Sequence, residues 1–126
     1  LENICQDHQV DLRMDLCEEN PWVKMDTSLF EQVLINMVKN SVESIEEKGI
    51  ITLRTSASPV MLEVADTGRG ISKEVETKLF TPFFSTKPNG QGIGLIFIRE
   101  VLMKHGCSFS LRTYEDGITR FRICFL

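Results

Sequence analysis

Apolar and polar positions follow two rhythms along this chain of 126 residues, and the rhythms mark out its elements. Val10, Leu12, Met14 and Leu16 alternate with Asp11, Arg13 and Asp15, the period-two pattern of a half-buried strand. Asn20-Pro21 is a turn signal, and 22–25 reads as a short second strand. The period then becomes helical. Phe30, Val33, Leu34, Met37, Ser41 and Ile45 fall on one face, with Gly49 as the stop. Ser28 and Glu31 form an S-x-x-E capping box at the start, with Asp26 as the alternative cap. Residues 50–55 and 60–66 read as strands around a turn at 56–59. Residues 72–78 read as a short helix capped by Ser72, and 80–91 as a loop containing Pro and Gly. A second long helix spans 93–105 and closes at Gly106. Strands at 107–113 and 118–126 flank Tyr114-Glu115-Asp116-Gly117, where Asp-Gly signals a hairpin. Residues 1–8 carry no strong period and read as a remnant of an upstream linker or helix.

This order predicts one α+β domain. Paired hairpins and segregated helices suggest a two-layer α/β sandwich, a mixed, mostly antiparallel sheet of about five strands packed on three helices. Apolar residues at 42% and charged residues at 25% are ordinary for a globular chain. A net charge of −4 argues against a nucleic-acid polymer or an anionic membrane as the main partner. No run of about 18 apolar residues exists to span a bilayer, and no signal peptide is visible. The start at Leu1 rather than Met suggests a piece of a longer protein. Cys5, Cys17, Cys107 and Cys124 form no C-x-x-C pair, so they read as reduced thiols rather than a zinc site. One count is uneven: Gly68, Gly70, Gly90, Gly92 and Gly94, five of the eight glycines, lie between positions 68 and 94.

Four segments could carry chemistry. Asn36 and Asn40 are four apart on the long helix and share a face. They are either solvated amides or neutral oxygen donors for a hard cation such as Mg²⁺. Lys39 beside them could meet a phosphate or pair with Glu43. Asp66 shares a strand face with Val60, Leu62 and Val64, so its carboxylate needs a donor partner; otherwise Asp66-Thr67-Gly68 is a solvated turn. The loop 80–87 carries Phe80, Phe83 and Phe84, either a core plug or a lid anchored by aromatics, with Lys87 within reach of a phosphate. Gly90-Gln91-Gly92-Ile93-Gly94 runs straight into a helix, which suits an anion seat as well as a flexible linker. Leu95 stands where a dinucleotide fingerprint needs its third glycine, and there is no P-loop. His105 reads as a partner for a helix C-terminus, His8 as solvent-exposed, and Glu18-Glu19 and Glu46-Glu47 as solvated pairs.

Taken in order, these segments resemble the four boxes of the ATP-binding catalytic domain of sensor histidine kinases, in the gyrase/chaperone/kinase/mismatch-repair ATPase superfamily. Asn36-Met37-Val38-Lys39-Asn40 is similar to the N box and Asp66-Thr67-Gly68-Arg69-Gly70 to the G1 box. Residues 80–87 are similar to the F box and 90–95 to the G2 box. The wording of 83–95 resembles the nitrogen-regulation and dicarboxylate-sensing branch. The resemblance covers nearly all of 1–126 and implies a Bergerat fold with a lid at 80–92. It implies that Asn40 holds Mg²⁺ between the phosphates and that Asn36 and Lys39 line the phosphate side. Asp66 would accept from the adenine amine, and Gly68, Gly70 and Ile71 would let the base approach. Lys87 and the amides of Gly90, Gln91, Gly92, Ile93 and Gly94 would cover the triphosphate, and Phe80, Thr86 and Leu95 would also belong to the ATP site. Thr119 would support a water beside the base. Two positions depart from the pattern: Cys107 follows Gly106 where the family often has a second Gly, and Ile118 separates Gly117 from Thr119.

The resemblance also implies the chemistry. The hydrolytic relatives place a Glu four residues before the metal-binding Asn, whereas this chain has Asn36, a poor general base. That favours transfer of the γ-phosphate to a protein histidine, with Asn36, Lys39 and Lys87 as the catalytic group. His8 and His105 sit in no H-[ED]-x-x-x-P setting. The implied partners are therefore ATP or ADP, an upstream dimerisation and histidine phospho-acceptor domain, and a response-regulator receiver domain. No nucleic acid or membrane contact is expected, and the isolated domain is expected to be a monomer. The expected compartment is the cytoplasm, as a free protein or as the cytoplasmic part of a membrane-anchored sensor. The alternatives are a serine kinase of the anti-sigma-factor type and an ATPase of the gyrase or chaperone type.

Overall fold

The computed structural model describes residues 5, 10–18, 25–80 and 93–125. Its elements run β1 (Val10–Asp15), α1 (Thr27–Ser44), β2 (Gly49–Ala57), β3 (Val60–Asp66), α2 (Lys73–Glu76), α3 (Ile93–Lys104), β4 (Ser108–Thr113) and β5 (Thr119–Cys124). The five strands form one sheet in the order β1-β2-β3-β5-β4. β1 lies parallel to β2 and every other pair is antiparallel, as a mixed, mostly antiparallel sheet requires. Of the strand predicted at 22–25, residues 22–24 lie outside the described residues and Met25 belongs to no element.

Period-two alternation in the strands divides the sheet into two faces. One carries Ile51, Leu53, Val64, Phe121 and Ile123, and α1 and α3 cover it with Val33, Met37, Val38, Val42, Ile98, Val101 and Leu102. Each such side chain contributes about 1.5–3 kcal/mol when fully buried, so this layer holds the domain together.

The long helix differs from expectation at both ends. Asp26, not Ser28, is its N-cap, and the Asp26 carboxylate accepts from Leu29 N–H at 3.0 Å. The chain enters the helix at Thr27, so Ser28 already lies inside the first turn. The helix stops at Ser44 rather than running to Gly49, because Ile45 turns extended at φ −94° and ψ 116°. The other ends shift by a residue or two: α3 stops at Lys104, and Gly106 follows in the left-handed region at φ 70°.

His105 does more than face a helix end. One ring nitrogen, Nδ1, lies 2.7 Å from the Val101 carbonyl, and the other, Nε2, accepts from Asp26 N–H at 3.1 Å. The ring thereby ties the end of α3 to the cap of α1.

The sheet's other face carries no helix among the described residues and is closed by charge. Register places Glu63 between Arg54 and Arg122, and Glu63 is 1% exposed. Arg122 Nε reaches its Oε1 at 2.5 Å, with Arg54 at 3.7 Å and Arg120 at 3.9 Å. Arg112, Arg120 and Arg122 stack over the Tyr114 ring at 4.5, 4.8 and 4.9 Å. Among the described residues no helix is long and apolar enough to cross a membrane. The four cysteines are free thiols.

Candidate functional site

Three polar side chains line up across the helix-covered face at one end of the sheet. Register pairs Asp66 with Thr119 and Thr113 with Thr119, so β3, β5 and β4 contribute one each. All three follow the parity of their apolar neighbours, and Asp66 and Thr119 are each only 5% exposed. The two hydroxyls lie 2.7 Å apart, and Thr113 Oγ1 also accepts from Ile71 N–H at 2.7 Å. The Ile118 insertion does not displace Thr119. Ile118 is taken up in the hairpin, where its N–H donates to Asp116 at 3.0 Å and its carbonyl accepts from Tyr114 N–H at 2.9 Å.

The turn after Asp66 is fastened on three sides. Towards β2, Thr67 N–H donates to the Ile50 carbonyl at 3.2 Å and Thr67 Oγ1 accepts from Ile50 N–H at 3.0 Å. Towards α1, Arg69 N–H donates to the Ser44 carbonyl at 3.0 Å, which satisfies an orphan acceptor at the helix end. Towards β4, Ile71 meets Thr113. Asp66 Oδ1 accepts from Gly68 N–H at 2.9 Å and from the Ser44 hydroxyl at 3.2 Å. Burial pushes the Asp66 carboxyl above its ordinary pKa of 3.8, against the opposing pull of Gly68 N–H and the Ser41 and Ser44 hydroxyls. A carboxylate has about four acceptor positions, so capacity remains for an amine donor.

The glycines of this turn have causes inside the chain. A Cβ on Gly68 would lie 2.1 Å from Ser44 Oγ and 2.7 Å from the Ser44 carbonyl oxygen. The end of α1 makes a close approach to the backbone at Gly68. Gly70 adopts φ 82°, which an L side chain rarely takes, with Thr113 Oγ1 at 3.3 Å from where its Cβ would sit.

α1 runs from this turn towards the other expected subsite. Asn36 and Asn40 are half-buried, and Lys39 is exposed. At 1.5 Å per residue, Asn40 and Asn36 stand roughly 6 and 12 Å along the axis from Ser44. The helix therefore sets the Asp66 carboxylate and the two amides apart. Among the described residues no group of three His, Cys, Asp or Glu could hold a metal ion. Mg²⁺ keeps waters and takes phosphate oxygens beside one or two protein ligands. The Asn40 amide oxygen is a hard neutral donor of the right kind.

Two residues assigned to nucleotide by resemblance face the interior. Phe80 packs edge-on against Phe109 and Phe121, with centroids 5.2 and 6.0 Å away, and Leu95 packs against the core. Phe80 is thus a core plug at the point where the loop departs. Ile93 and Gly94 open α3. Thr86, Lys87, Gly90, Gln91, Gly92 and His8 lie outside the described residues. Ser44 and Thr113 were not singled out from the sequence. The i, i+4, i+8 series Asn36, Asn40, Ser44 is the polar stripe that could have pointed to Ser44.

The profile of the histidine kinase-, DNA gyrase B- and HSP90-like ATPase family matches residues 25–126. The chain belongs to this family. Curated members similar to it include the sensor histidine kinase ZraS of Escherichia coli O157:H7, at 30% identity over 98% of this chain. The C4-dicarboxylate transport sensor protein DctS of Rhodobacter capsulatus is 35% identical over 95% of it. The chain spans only 28% of the first protein and 19% of the second. Among solved structures, the catalytic domain of the histidine kinase ThkA superposes with a TM-score of 0.81 at 29% identity, covering 98% of this chain and 83% of that one. The mycobacterial sensor histidine kinase MprB shares the fold at TM-score 0.83 and 22% identity, over 98% of this chain and 87% of its own. The ATPase-family match identifies ATP as the nucleotide of this domain.

Proposed function

We propose that this chain is the catalytic domain of a sensor histidine kinase, which holds Mg–ATP and presents its γ-phosphate to a histidine on a separate dimerisation domain. The observation that carries the reading is Asp66: a buried carboxylate, held by its own turn, at the edge of a family-typical ATPase fold. Asp66 accepts from the adenine amine, and Thr119 with Thr113 supports a water beside it. Gly68, Gly70 and Ile71 border the base. Asn40 holds Mg²⁺, which neutralises charge on the phosphates when bound. Asn36 and Lys39 lie on the phosphate side, and Thr86, Lys87 and 90–94 close over it from the lid at 80–92. Phosphoryl transfer needs positioning and charge stabilisation more than covalent help from the protein, so a domain without a strong base at Asn36 suffices. The γ-phosphate goes on to a response-regulator receiver domain, and the domain works in the cytoplasm as a monomer.

Thermal melts with and without Mg–ADP, together with calorimetric titration, test the reading. Saturating ADP at about 100 times Kd stabilises by about 2.7 kcal/mol. Asp66→Asn lowers ADP affinity at least about tenfold, the order expected for a hydrogen bond to a charged group. No ADP-dependent shift, or wild-type affinity in Asp66→Asn, overturns it. Multiple-turnover phosphate release by the chain alone, lost in Asn36→Ala, would favour a gyrase- or chaperone-type ATPase.

A further inference from the structure

Ser44 ends α1 and touches the Asp66 turn through both its hydroxyl and its carbonyl. The hydroxyl lies 2.8 Å from the Ser41 carbonyl and 3.2 Å from Asp66 Oδ1. The carbonyl accepts from Arg69 N–H at 3.0 Å. Gly68 leaves the space that its Oγ occupies. A hydroxyl has one proton, so Ser44 donates either back along its own helix or across to Asp66. The first choice satisfies Ser44 by itself. Asp66 is the partner that needs the second, because a buried carboxylate without donors is costly.

We propose that Ser44 is a positioning residue for base recognition: its hydroxyl sets the Asp66 carboxylate to meet a purine 6-amino group, and ties that setting to the helix that carries Asn36 and Asn40. The inference rests on the assignment of Asp66 to the base made above. Rotation of an Asp carboxylate about its last torsion is soft, with broad minima rather than sharp wells. Gly68 N–H holds it from its own turn, and the Ser41 and Ser44 hydroxyls hold it from a different element, α1. Because Ser44 belongs to α1, a displacement of that helix is felt at the carboxylate. The domain would thereby sense phosphate-side and base-side occupancy through the end of α1.

Calorimetric titration of this chain tests the idea with two probes: Mg–ADP, and Mg–inosine diphosphate, which has a carbonyl in place of the amine. The variants are Ser44→Ala, Ser44→Cys, Asp66→Asn and the Ser44→Ala/Asp66→Asn double variant. Ser44→Cys keeps the side-chain size with a weak donor and covers the case in which Ser44→Ala does not fold. Ser44→Ala or Ser44→Cys is expected to weaken ADP about tenfold and to leave inosine diphosphate within about twofold. In the Asp66→Asn background the same change alters ADP affinity by less than about twofold, since the coupled partner is gone. The pH at which ADP affinity begins to fall moves upward in Ser44→Ala, because a donor to the ionised form has been removed. Equal losses for both probes, or the same loss with and without Asp66, would make Ser44 a helix terminator only and overturn the proposal. Wild-type ADP affinity in Asp66→Asn would instead overturn the assignment of Asp66, and this inference with it.

Discussion

Replacing Gly68 with Ala separates two explanations of the same glycine. If Gly68 exists to admit the base, the unliganded variant is as stable as the wild type and only nucleotide binding suffers. The geometry says otherwise. The added Cβ would stand 2.1 Å from Ser44 Oγ, 2.7 Å from the Ser44 carbonyl oxygen and 2.9 Å from the Ser44 carbonyl carbon. The first of these is a side-chain atom and can rotate away. The other two are backbone at the end of α1, where Arg69 N–H is bound to the same carbonyl at 3.0 Å, so relief requires the turn and the helix end to part. Overpacking of this kind costs about 1–3 kcal/mol, and backbone contact puts Gly68→Ala near the upper value. For a domain of this size that corresponds to a melting temperature lower by roughly 10 °C. Adding Ser44→Ala removes only the 2.1 Å contact and recovers only part of the loss. Gly70→Ala is the comparison: its Cβ meets nothing nearer than 3.3 Å, but φ 82° costs about 1–2 kcal/mol. Differential scanning fluorimetry and urea denaturation of the unliganded proteins read these values. An unliganded Gly68→Ala melting within about 2 °C of wild type would refute the packing argument.

Two further outcomes follow from buried carboxylates on opposite faces of the sheet. Burial holds Asp66 above the ordinary 3.8. In the window between 3.8 and the raised value the folded chain binds this proton more tightly than the unfolded chain. This group therefore favours folding as pH falls and opposes it as pH rises. ADP binding runs the other way, because the amine needs an ionised acceptor. Affinity declines as pH falls through the raised value, and the decline disappears in Asp66→Asn; an equal decline in that variant counts against the assignment. Glu63→Gln leaves Arg122 and Arg54 without their shared anion. Their side chains are 36% and 50% exposed and regain water, so the cost is about 2 kcal/mol rather than that of a fully buried broken pair. Urea denaturation should show it with ADP affinity unchanged; a loss under about 0.5 kcal/mol would mean the cluster does not hold this face.

The outline of the fold was legible because its elements obey their own periods. Val60, Leu62 and Val64 announce a strand whose inner face must also receive Asp66, and Phe121 and Ile123 do the same for Thr119. The end of α1 was not legible. Local pattern carried the helix on through Ile45 to Gly49, and only contact with a turn 22 residues downstream of Ser44 stops it (Asp66 is the residue its hydroxyl meets). The cap was similar: Ser28 and Glu31 fit a motif, but the direction from which the chain enters gives the task to Asp26.

By itself the sequence determined which positions are strand, which are helix and which faces are apolar, since these are set by neighbours a few residues apart. It also placed an acid at the end of an apolar stripe and two amides four residues apart. The tertiary structure decided what each of them touches. It pairs Asp66 with Ser44, joins Ile71 to Thr113 and Thr119, turns Phe80 and Leu95 into core, and gathers four arginines around Glu63 and Tyr114. The reason is physical. Periodicity reports burial, which is local and additive, whereas a hydrogen bond or an ion pair depends on where two distant segments meet, and that is known only once the sheet has its order and register.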